Sequence, residues 1–247
     1  MNIVLLGYGK MGQLIEKFAV KRGHQVVLVV DKDNRDKITV EDIKAGDVAI
    51  DFSEPAAAID NITLCFEAGL PIVVGTTGWY EHIEEIKAVC LETEQSLLYG
   101  SNFSIGVNVF FYINRMLAKA MAPYKQYEAQ VEEIHHIHKL DSPSGTAITI
   151  AEGIIDSIAE KTKWVNELIG EGEGLIPKPD ELLIESHRID EVPGTHTVLY
   201  SSEVDQIEFK HTAHNRAGFA LGAVAAAEWL VGKKGFYQVT EMFDFNK

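Results

Sequence analysis

The chain has 247 residues, of which 46% are hydrophobic and 24% are charged, and this composition excludes a disordered or a fibrous protein. Its 22 basic and 37 acidic residues give a net charge of −15, which disfavours nucleic acid as a partner. The most apolar stretch, residues 218–227, is too short to cross a bilayer, and the first residues lack the basic region of a secretory leader. We therefore expect a cytoplasmic protein with no membrane partner.

The first hundred residues alternate short apolar runs with amphipathic stretches. Residues 3–6 form a predicted strand that ends at a glycine-rich turn, and helical spacing of apolar residues follows. A second apolar run at 26–30 completes a βαβ unit. The alternation of strands and helices then continues through 48–52, Pro55–Ala68, 71–74, 80–94 and Ser96–Tyr99. Five strands separated by helices predict an α/β domain with a Rossmann-type, doubly wound parallel sheet.

The pattern changes after a helix predicted at Ile105–Met121. Strand-like segments now follow one another with a single intervening helix at 146–161, which predicts a second, α+β domain with a mixed or antiparallel sheet. The predicted strands are 127–136, 182–188, Thr195–Ser201 and 206–211. The stretch 162–180 is rich in Gly, Pro and Glu and is predicted to be a mobile loop, and a last helix at 217–231 returns to the first domain. The predicted domains are 1–104 with 216–247, for dinucleotide binding, and 105–215, for substrate binding.

The turn after the first strand reads Gly7-x-Gly9-x-x-Gly12. In a dinucleotide site the first glycine permits the tight turn, the second lets a pyrophosphate approach the backbone, and the third lets helix and strand pack closely. The alternative is a tight turn without a ligand. The position of the motif, between a strand and a helix, favours the dinucleotide site.

Asp31 ends the second predicted strand, 19 residues after Gly12. A carboxylate there can accept hydrogen bonds from both ribose hydroxyls, which favours NADH, whereas Lys32 and Lys10 can pair with the 2′-phosphate of NADPH. The alternative for both lysines is solvated surface charge. We expect both cofactors to be used, with NADH at least equal to NADPH.

Two further turns lie at the ends of predicted parallel strands, where doubly wound sheets bind ligands. Gly75-Thr76-Thr77-Gly78 follows the fourth strand, and Ser101-Asn102-Phe103-Ser104 follows the fifth. Their amides and hydroxyls suit the nicotinamide end of the cofactor. Each is also compatible with an ordinary turn.

Residues 132–147 carry three histidines and a lysine immediately before a helix. If the strand stays extended through Lys139, then His135 and Lys139 share one face and His136 and His138 share the other. A zinc site and an incidental surface cluster are the alternatives, and zinc is disfavoured because the histidines diverge and the lysine repels a cation. The arrangement indicates a proton-transfer site.

The helix after this segment begins with Ser144, Gly145 and Thr146. Unpaired amides and the positive dipole end at a helix start suit a carboxylate. Further cationic groups in the later strands add a local positive field: Arg188, His196, His211, His214 and Arg216. An anionic substrate is therefore expected.

At residues 133–147, which read EIHHIHKLDSPSGTA, the sequence resembles the most specific signature of the dihydrodipicolinate reductase family, also called 4-hydroxy-tetrahydrodipicolinate reductases. The turn at 75–78, the Asn102-Phe103-Ser104 segment and Gly194-x-His196 fall in the expected order. The resemblance implies hydride transfer from NADH or NADPH to a cyclic, dicarboxylated imine in diaminopimelate and lysine biosynthesis. It also implies a homotetramer assembled through the sheets of the second domain.

The resemblance further implies roles for individual residues. His135 and Lys139 exchange protons with the substrate, and His136, Ser144, Gly145 and Thr146 hold it. Cofactor contacts are implied for Gly7, Tyr8, Gly9, Lys10, Met11, Gly12, Asp31, Lys32, Gly75, Thr76, Thr77, Gly100, Ser101, Asn102, Phe103 and Arg216.

The sequence departs from the family pattern in three places. The glycine turn is one residue shorter than the usual GxxGxxG, Asp190 replaces the first glycine of RxGxxxGxH, and the chain is compressed between Trp164 and Leu182. We expect a reshaped strand connection at Asp190. The remaining functional alternatives are another two-domain NAD(P)-dependent dehydrogenase and a nucleotide-sensing module that has lost the chemistry.

Overall fold

The structure is a computed structural model that describes residues 1–171, 174–243 and 245. The chain divides into two compact units, and each contains a sheet of its own. Unit 1 comprises Met1–Asn108 and Arg216–Lys247, and unit 2 comprises Val109–Asn215. No helix within the described ranges is both long enough and apolar enough to cross a membrane.

The helices and strands alternate along most of the chain. In chain order they are β1 (Asn2–Leu6), α1 (Lys10–Lys21), β2 (Gln25–Val30), α2 (Val40–Ile43), β3 (Val48–Asp51), α3 (Pro55–Ala68), β4 (Ile72–Val74), α4 (Ile83–Glu92), β5 (Ser96–Tyr99), α5 (Ile105–Met121), β6 (Glu128–His135), α6 (Gly145–Ile155), β7 (Lys163–Leu168), β8 (Glu181–Arg188), β9 (Thr195–Ser201), β10 (Gln206–Thr212), α7 (Ala217–Leu230) and β11 (Gly235–Gln238). Short 3₁₀ turns lie at Arg35–Lys37, Tyr80–His82 and Val239–Met242.

Unit 1 contains, in its described residues, a six-stranded sheet in the order β11-β5-β4-β3-β1-β2, with every neighbouring pair parallel. The central strands are buried throughout, because an apolar core packs against each face of the sheet. The predicted Rossmann-type sheet is confirmed. The strand order reverses between β1 and β3, and the crevice at such a switch point is where doubly wound sheets bind ligands.

The sheet of unit 1 has one strand more than the five predicted. β11 pairs in parallel with β5, in the register Phe236 to Leu97. The strand has four residues, and none of them is buried. So short an edge strand gives no clear periodic signal in the sequence.

Unit 2 contains, among its described residues, a five-stranded mixed sheet in the order β10-β9-β6-β8-β7. β9 is antiparallel to both β6 and β10, whereas β6, β8 and β7 are parallel to one another. Residues of α5 and α6, including Phe110 and Ile150, form a core with Val131, Ile184 and Val198 of the sheet. The prediction of a second domain with a mixed sheet is confirmed.

The predicted mobile loop at 162–180 is partly wrong, because its first residues form β7. This strand pairs in parallel with β8, in the register Trp164 to Leu182. The Gly, Pro and Glu content that suggested a loop is concentrated after the strand, and residues 172 and 173 of that stretch lie outside the described residues. The helix predicted at 146–161 ends earlier, at Ile155, and Lys161 is instead buried, donating to the carbonyl oxygens of Pro179 and Glu181.

Candidate active site

The glycine turn between β1 and α1 is built by close backbone packing. Gly7 has φ +92°, and a Cβ added there would lie 2.3 Å from the carbonyl oxygen of Phe52. A Cβ on Gly12 would lie 2.3 Å from the carbonyl oxygen of Gly7. Gly9 differs, because no atom lies within 4 Å of its Cβ position. The open side of the turn is therefore at Gly9.

Gly9 is also the N-cap of α1 and provides no side-chain cap. The N–H groups of the first helical turn therefore face the open side of the turn without a capping side chain, which is the arrangement that suits a pyrophosphate. The one-residue shortening of the turn is compatible with this geometry. A dinucleotide fits the turn on these grounds.

A cavity of about 450 Å³ adjoins the glycine turn at the carboxyl ends of β1, β2 and β3. Its volume lies within the range of small-molecule sites. Five of the residues predicted to bind cofactor line it, together with eight others. The lining residues are Gly7, Tyr8, Gly9, Val30, Asp31, Lys32, Asp33, Arg35, Phe52, Ser53, Glu54, Ala57 and Asn61.

Asp31 and Arg35 are two of the polar residues that line this cavity. Asp31 Oδ1 accepts from the backbone N–H of Asp33 at 2.9 Å. Arg35 donates from Nε to Asn61 Oδ1 at 3.1 Å, which holds its guanidinium at the cavity wall. Sequence reasoning missed Arg35, because it lies in a 3₁₀ turn beyond the strand and outside any motif.

Other residues predicted to bind cofactor do not line the cavity. Several have packing roles: a Cβ on Gly75 would overlap the Phe52 ring, and one on Gly100 would overlap Val239. Thr76 Oγ1 accepts from the backbone N–H of Ser53 at 2.8 Å. The full set outside the cavity is Lys10, Met11, Gly12, Gly75, Thr76, Thr77, Gly100, Ser101, Asn102, Phe103 and Arg216.

The predicted extended strand through Lys139 is wrong, because β6 ends at His135. The N–H of Ile137 donates to the carbonyl oxygen of Asp190, and Lys139 N–H donates to His136 O, so the chain turns. His135 and Lys139 therefore do not share a strand face. Lys139 Nζ instead pairs with Asp141 at 2.7 Å, and the hydrogen bonds of that pair lower the pKa of Asp141.

Glu133 lies at the centre of the site in unit 2. It is fully buried on β6, and the register places it directly opposite Ser186 of β8 and His196 of β9. Its Oε1 accepts from Ser186 Oγ at 2.9 Å, from Ser144 N–H at 3.1 Å and from Arg188 at 3.3 Å. Sequence reasoning missed this residue, since its partners come from distant parts of the chain.

Burial alone would raise the pKa of Glu133, but the close approach and charge of His135 and the hydrogen bonds from Ser144 and Ser186 outweigh it and lower that pKa. Burial, together with the charge of His135, lowers the pKa of His196 to about 3. Glu133 is therefore ionised and His196 neutral over the ordinary pH range.

His135 Nδ1 lies 3.1 Å from Glu133 Oε2, at an angle that is poor for a hydrogen bond. The rings of His135 and His196 meet edge to face with centroids 5.1 Å apart. Gly194, with φ +153°, lies at the other side of His135, where an added Cβ would be 3.0 Å from Nε2. His135 is thus held between a carboxylate and a glycine.

Three groups in this cluster, Glu133, His135 and His196, have ligand atoms within 4.8 Å of one another, a spacing that suits a metal ion. Arg188 lies 3.3 Å from Glu133 Oε1 and would repel a cation there. His136 and His138, which the zinc alternative required, do not belong to this cluster.

The start of α6 lies beside the same cluster. Ser144 is its N-cap, accepts from Ala147 N–H at 3.1 Å and lies 3.1 Å from His196 Nε2. A Cβ on Gly145 would meet nothing within 4 Å, so the backbone at the helix start is accessible. The arrangement can bind a carboxylate through amides of the first turn.

Asp190 stands at a position where the family pattern has glycine. Its φ is +44°, in the left-handed region that glycine adopts freely and that Asp tolerates better than most residues. The backbone at this connection therefore has the conformation for which glycine is usually needed.

The parallel sheet with its nucleotide-sized cavity, in a chain with a separate mixed-sheet unit, defines the class of two-domain NAD(P)-dependent oxidoreductases. Two protein-family models narrow this class to one family. "Dihydrodipicolinate reductase, N-terminus" matches residues 1–103, and "Dihydrodipicolinate reductase, C-terminus" matches residues 106–243. The chain belongs to the dihydrodipicolinate reductase family, and its activity is the NAD(P)H-dependent reduction that this family carries out in lysine and diaminopimelate biosynthesis.

Individual relatives agree with the family. The chain is 46% identical over 244 residues to 4-hydroxy-tetrahydrodipicolinate reductase of Christiangramia forsetii, covering 98% of this chain and 97% of that protein. It is 35% identical over 253 residues to the Archaeoglobus fulgidus enzyme of the same name, covering 96% of each. The fold matches a dipicolinate-bound dihydrodipicolinate reductase from Paenisporosarcina sp. TG-14 with a TM-score of 0.79 and 21% identity, over 98% of this chain and 99% of that one.

Proposed function

We propose that the chain transfers hydride from NADH or NADPH to a cyclic, dicarboxylated imine, and that His135 and Lys139 exchange protons with this substrate. The observation that carries the proposal is the buried Glu133–His135 pair beside the start of α6. It combines a proton-exchanging group with a site for an anion. The Paenisporosarcina relative, whose ligand is dipicolinate, supports a ring dicarboxylate as the class of substrate.

Of the two substrate carboxylates, one is assigned to the start of α6. The amides of Gly145 and Thr146 bind it, because the helix start is accessible and has a positive dipole end. Ser144 acts by holding the helix start, since its hydroxyl already accepts from Ala147 N–H and contacts His196. His136 contacts the substrate and contributes to its affinity.

The cofactor supplies hydride, which leaves negative charge on the substrate ring. A proton must neutralise this charge, and general acid catalysis of this kind is typically worth about 10² to 10⁴ in rate. His135 is held against Glu133 for this step. Lys139 supplies the second proton-exchanging group from the turn that follows β6.

Both cofactors bind the cavity beside the glycine turn, with NADH used at least as well as NADPH. Asp31 accepts from the ribose hydroxyls, while Lys32 and Arg35 at the cavity wall reduce its repulsion of a 2′-phosphate. The turns at Gly75–Thr77 and Gly100–Phe103, with Arg216, are assigned to the nicotinamide end. A preference for NADPH in kcat/KM above about a hundredfold, nearly 3 kcal/mol, would overturn this ranking.

The chain assembles as a homotetramer in the cytoplasm, where the buried thiols of Cys65 and Cys90 stay reduced. Support comes from the sheet of unit 2, whose face opposite the core of α5 and α6 carries Ile134, Leu183 and Leu199 in alternation with core residues. Light scattering at micromolar concentration tests the assembly. A monomer mass there would refute it.

The reaction is tested by following nicotinamide absorbance with 4-hydroxy-tetrahydrodipicolinate generated in situ and each cofactor in turn. Oxidation of at least one cofactor is expected, and no change with either would overturn the proposal. His135→Ala and Lys139→Ala should each lower kcat by about 10² to 10⁴ and leave cofactor affinity unchanged. His136→Ala should mainly raise KM for the substrate.

His138→Ala is the matched control, because His138 lies in the same segment but is 68% exposed and forms its ion pair with the exposed Glu191. It should retain wild-type kinetics. If His135→Ala and Lys139→Ala both kept kcat within about threefold, under 1 kcal/mol of barrier, the assignment of the proton donors would fail.

A further inference from the structure

We propose that Glu133 is a positioning residue for His135: its carboxylate holds the His135 proton on Nδ1 and thereby presents Nε2 for proton exchange with the substrate. The inference rests on the proposed function, in which His135 exchanges that proton. It adds a residue that touches neither substrate nor cofactor and acts only through the histidine.

The two oxygens of Glu133 have different surroundings. Oε1 accepts from Ser186, from the N–H of Ser144 and from Arg188, at 2.9 to 3.3 Å. Oε2 receives none of these donors and lies 3.1 Å from His135 Nδ1. The first set of contacts fixes the carboxylate in place, and the second oxygen is left to face the imidazole.

A carboxylate accepts hydrogen bonds and donates none. A bare Nδ1 lone pair 3.1 Å from Oε2 would be repelled, so the neutral imidazole carries its proton on Nδ1. Nε2 is then an acceptor in the neutral ring and a donor in the imidazolium.

Glu133 keeps its charge although it is fully buried. Burial favours the protonated acid, but the hydrogen bonds and the neighbouring charge lower the pKa of Glu133. His196 does not compete for this charge, because burial lowers its pKa to about 3 and its Nε2 lies beside the Ser144 hydroxyl. The carboxylate is therefore available to His135.

The Nε2 side of His135 borders Gly194. An added Cβ there would lie 3.0 Å from Nε2, so a side chain at this position would crowd that atom. Two further charged or titratable groups lie beside Glu133 and remain in any Glu133 variant. They are Arg188 of β8, at 3.3 Å, and His196 of β9, at 3.8 Å.

Glu133→Gln is the principal test, because the amide has the shape of the carboxylate and its oxygen can still accept from Ser144, Ser186 and Arg188. Its NH₂ group would donate to His135 Nδ1 and move the ring proton to Nε2. We expect kcat to fall about 10²-fold with KM for the substrate within about threefold. Glu132→Gln is the matched control, since it makes the same change at the neighbouring residue of β6, whose 30% exposed side chain lies 3.4 Å from His187, and kcat should stay within about threefold.

A double variant separates positioning from a general structural role. If Glu133 acts through His135, then Glu133→Gln in the His135→Ala background should lower kcat by less than about twofold more. An additional loss close to that of the single variant would overturn the inference. If His135→Ala itself kept its activity, the proposed proton donor would fail; if only Glu133→Gln kept its activity, the positioning role alone would fail.

A measurement on the unaltered protein covers the case in which Glu133→Gln does not fold. The ¹⁵N resonances of the imidazole distinguish the two neutral tautomers of His135, and a sample of His135→Ala identifies its signals by their loss. We expect the neutral ring to carry its proton on Nδ1. A proton on Nε2 would overturn the inference.

Discussion

The two units can be compared through the carboxylates that they bury completely, Asp51 at the end of β3 and Glu133 near the end of β6. Asn61 Nδ2 donates to Asp51 Oδ1 at 3.2 Å, and no described residue makes a hydrogen bond of good geometry to Oδ2. Burial therefore raises the pKa of Asp51 to about 6, although Ser53, Thr76 and Asn61 offset part of the effect. Glu133, with its ring of donors, shifts in the opposite direction.

The two carboxylates are equally buried, yet their pKa values shift in opposite directions, because the hydrogen-bond donors and charges around a buried carboxylate decide whether it keeps its charge. In unit 2 the acid is a fixed negative charge beside a histidine, and its contribution to stability is lost only as pH falls below its ordinary pKa range. In unit 1 the acid takes up a proton near neutral pH. The permanent charge of Glu133 is suited to catalysis, whereas Asp51 lowers the free energy of unfolding as pH rises.

The largest effect is expected when Glu133 loses its arginine partner, Arg188. Arg188→Ala should lower the free energy of unfolding by about 3 to 5 kcal/mol, because a buried charge is left without its cation. The control is Arg22→Ala in unit 1, which breaks a shorter 2.6 Å pair with Glu228 whose side chains are 42% and 30% exposed. That loss should be about 1 kcal/mol or less. Urea unfolding measures both, and equal losses would show that burial does not distinguish the pairs.

The pH dependence of stability tests Asp51. Between its ordinary pKa of 3.8 and the folded value of about 6, the folded protein binds more protons than the unfolded chain, so stability falls as pH rises. Asp51→Asn removes this loss, and its advantage over wild type should grow from near zero at about pH 4 to about 2 to 3 kcal/mol above about pH 7.

Urea unfolding at a series of pH values measures this difference. The control variant is Asp60→Asn, which makes the same substitution at an exposed residue of the helix that carries Asn61. A constant difference between Asp51→Asn and wild type across the range would mean that Asp51 does not titrate as described.

The third test concerns the site of unit 1, which is built from backbone packing, whereas that of unit 2 is built from side chains. Gly7→Ala should cost about 1 to 3 kcal/mol and abolish cofactor binding, because the new Cβ meets a backbone oxygen at a positive φ. Gly9→Ala should cost less than about 1 kcal/mol, as its Cβ position is empty, and should weaken cofactor binding alone. Thermal unfolding and cofactor titration separate the two. Equal stability of both variants would contradict the packing of the turn.

Local patterns predict the glycine turn of unit 1 and the acid that lines the cavity beside it. The spacing of Gly7, Gly9 and Gly12 and the acid at Asp31 all depend on one βαβ unit, so the sequence order carries the geometry. Glu133, Ser186 and His196 lie side by side on three neighbouring strands, and the register between those strands places them there. The periodicity of the local sequence does not contain this register.

The failed predictions have the same origin. β6 stops at His135 because Ile137 finds the carbonyl of Asp190, a contact more than fifty residues away along the chain. β7 is not predicted from the sequence, because its six residues are followed by a longer stretch with the composition of a loop. Strand ends and short edge strands are decided by partners that the local sequence does not contain.

The order of helices and strands along the sequence also affects how the nascent chain folds on the ribosome. β5 ends at Tyr99, but α7 and β11, which cover one face of its sheet and pair with its free edge, begin only at Ala217 and Gly235. Unit 2 is one continuous segment and can complete itself first. Until then the incomplete sheet of unit 1 has an exposed apolar face and an unpaired edge strand. Both features promote aggregation and chaperone binding during synthesis.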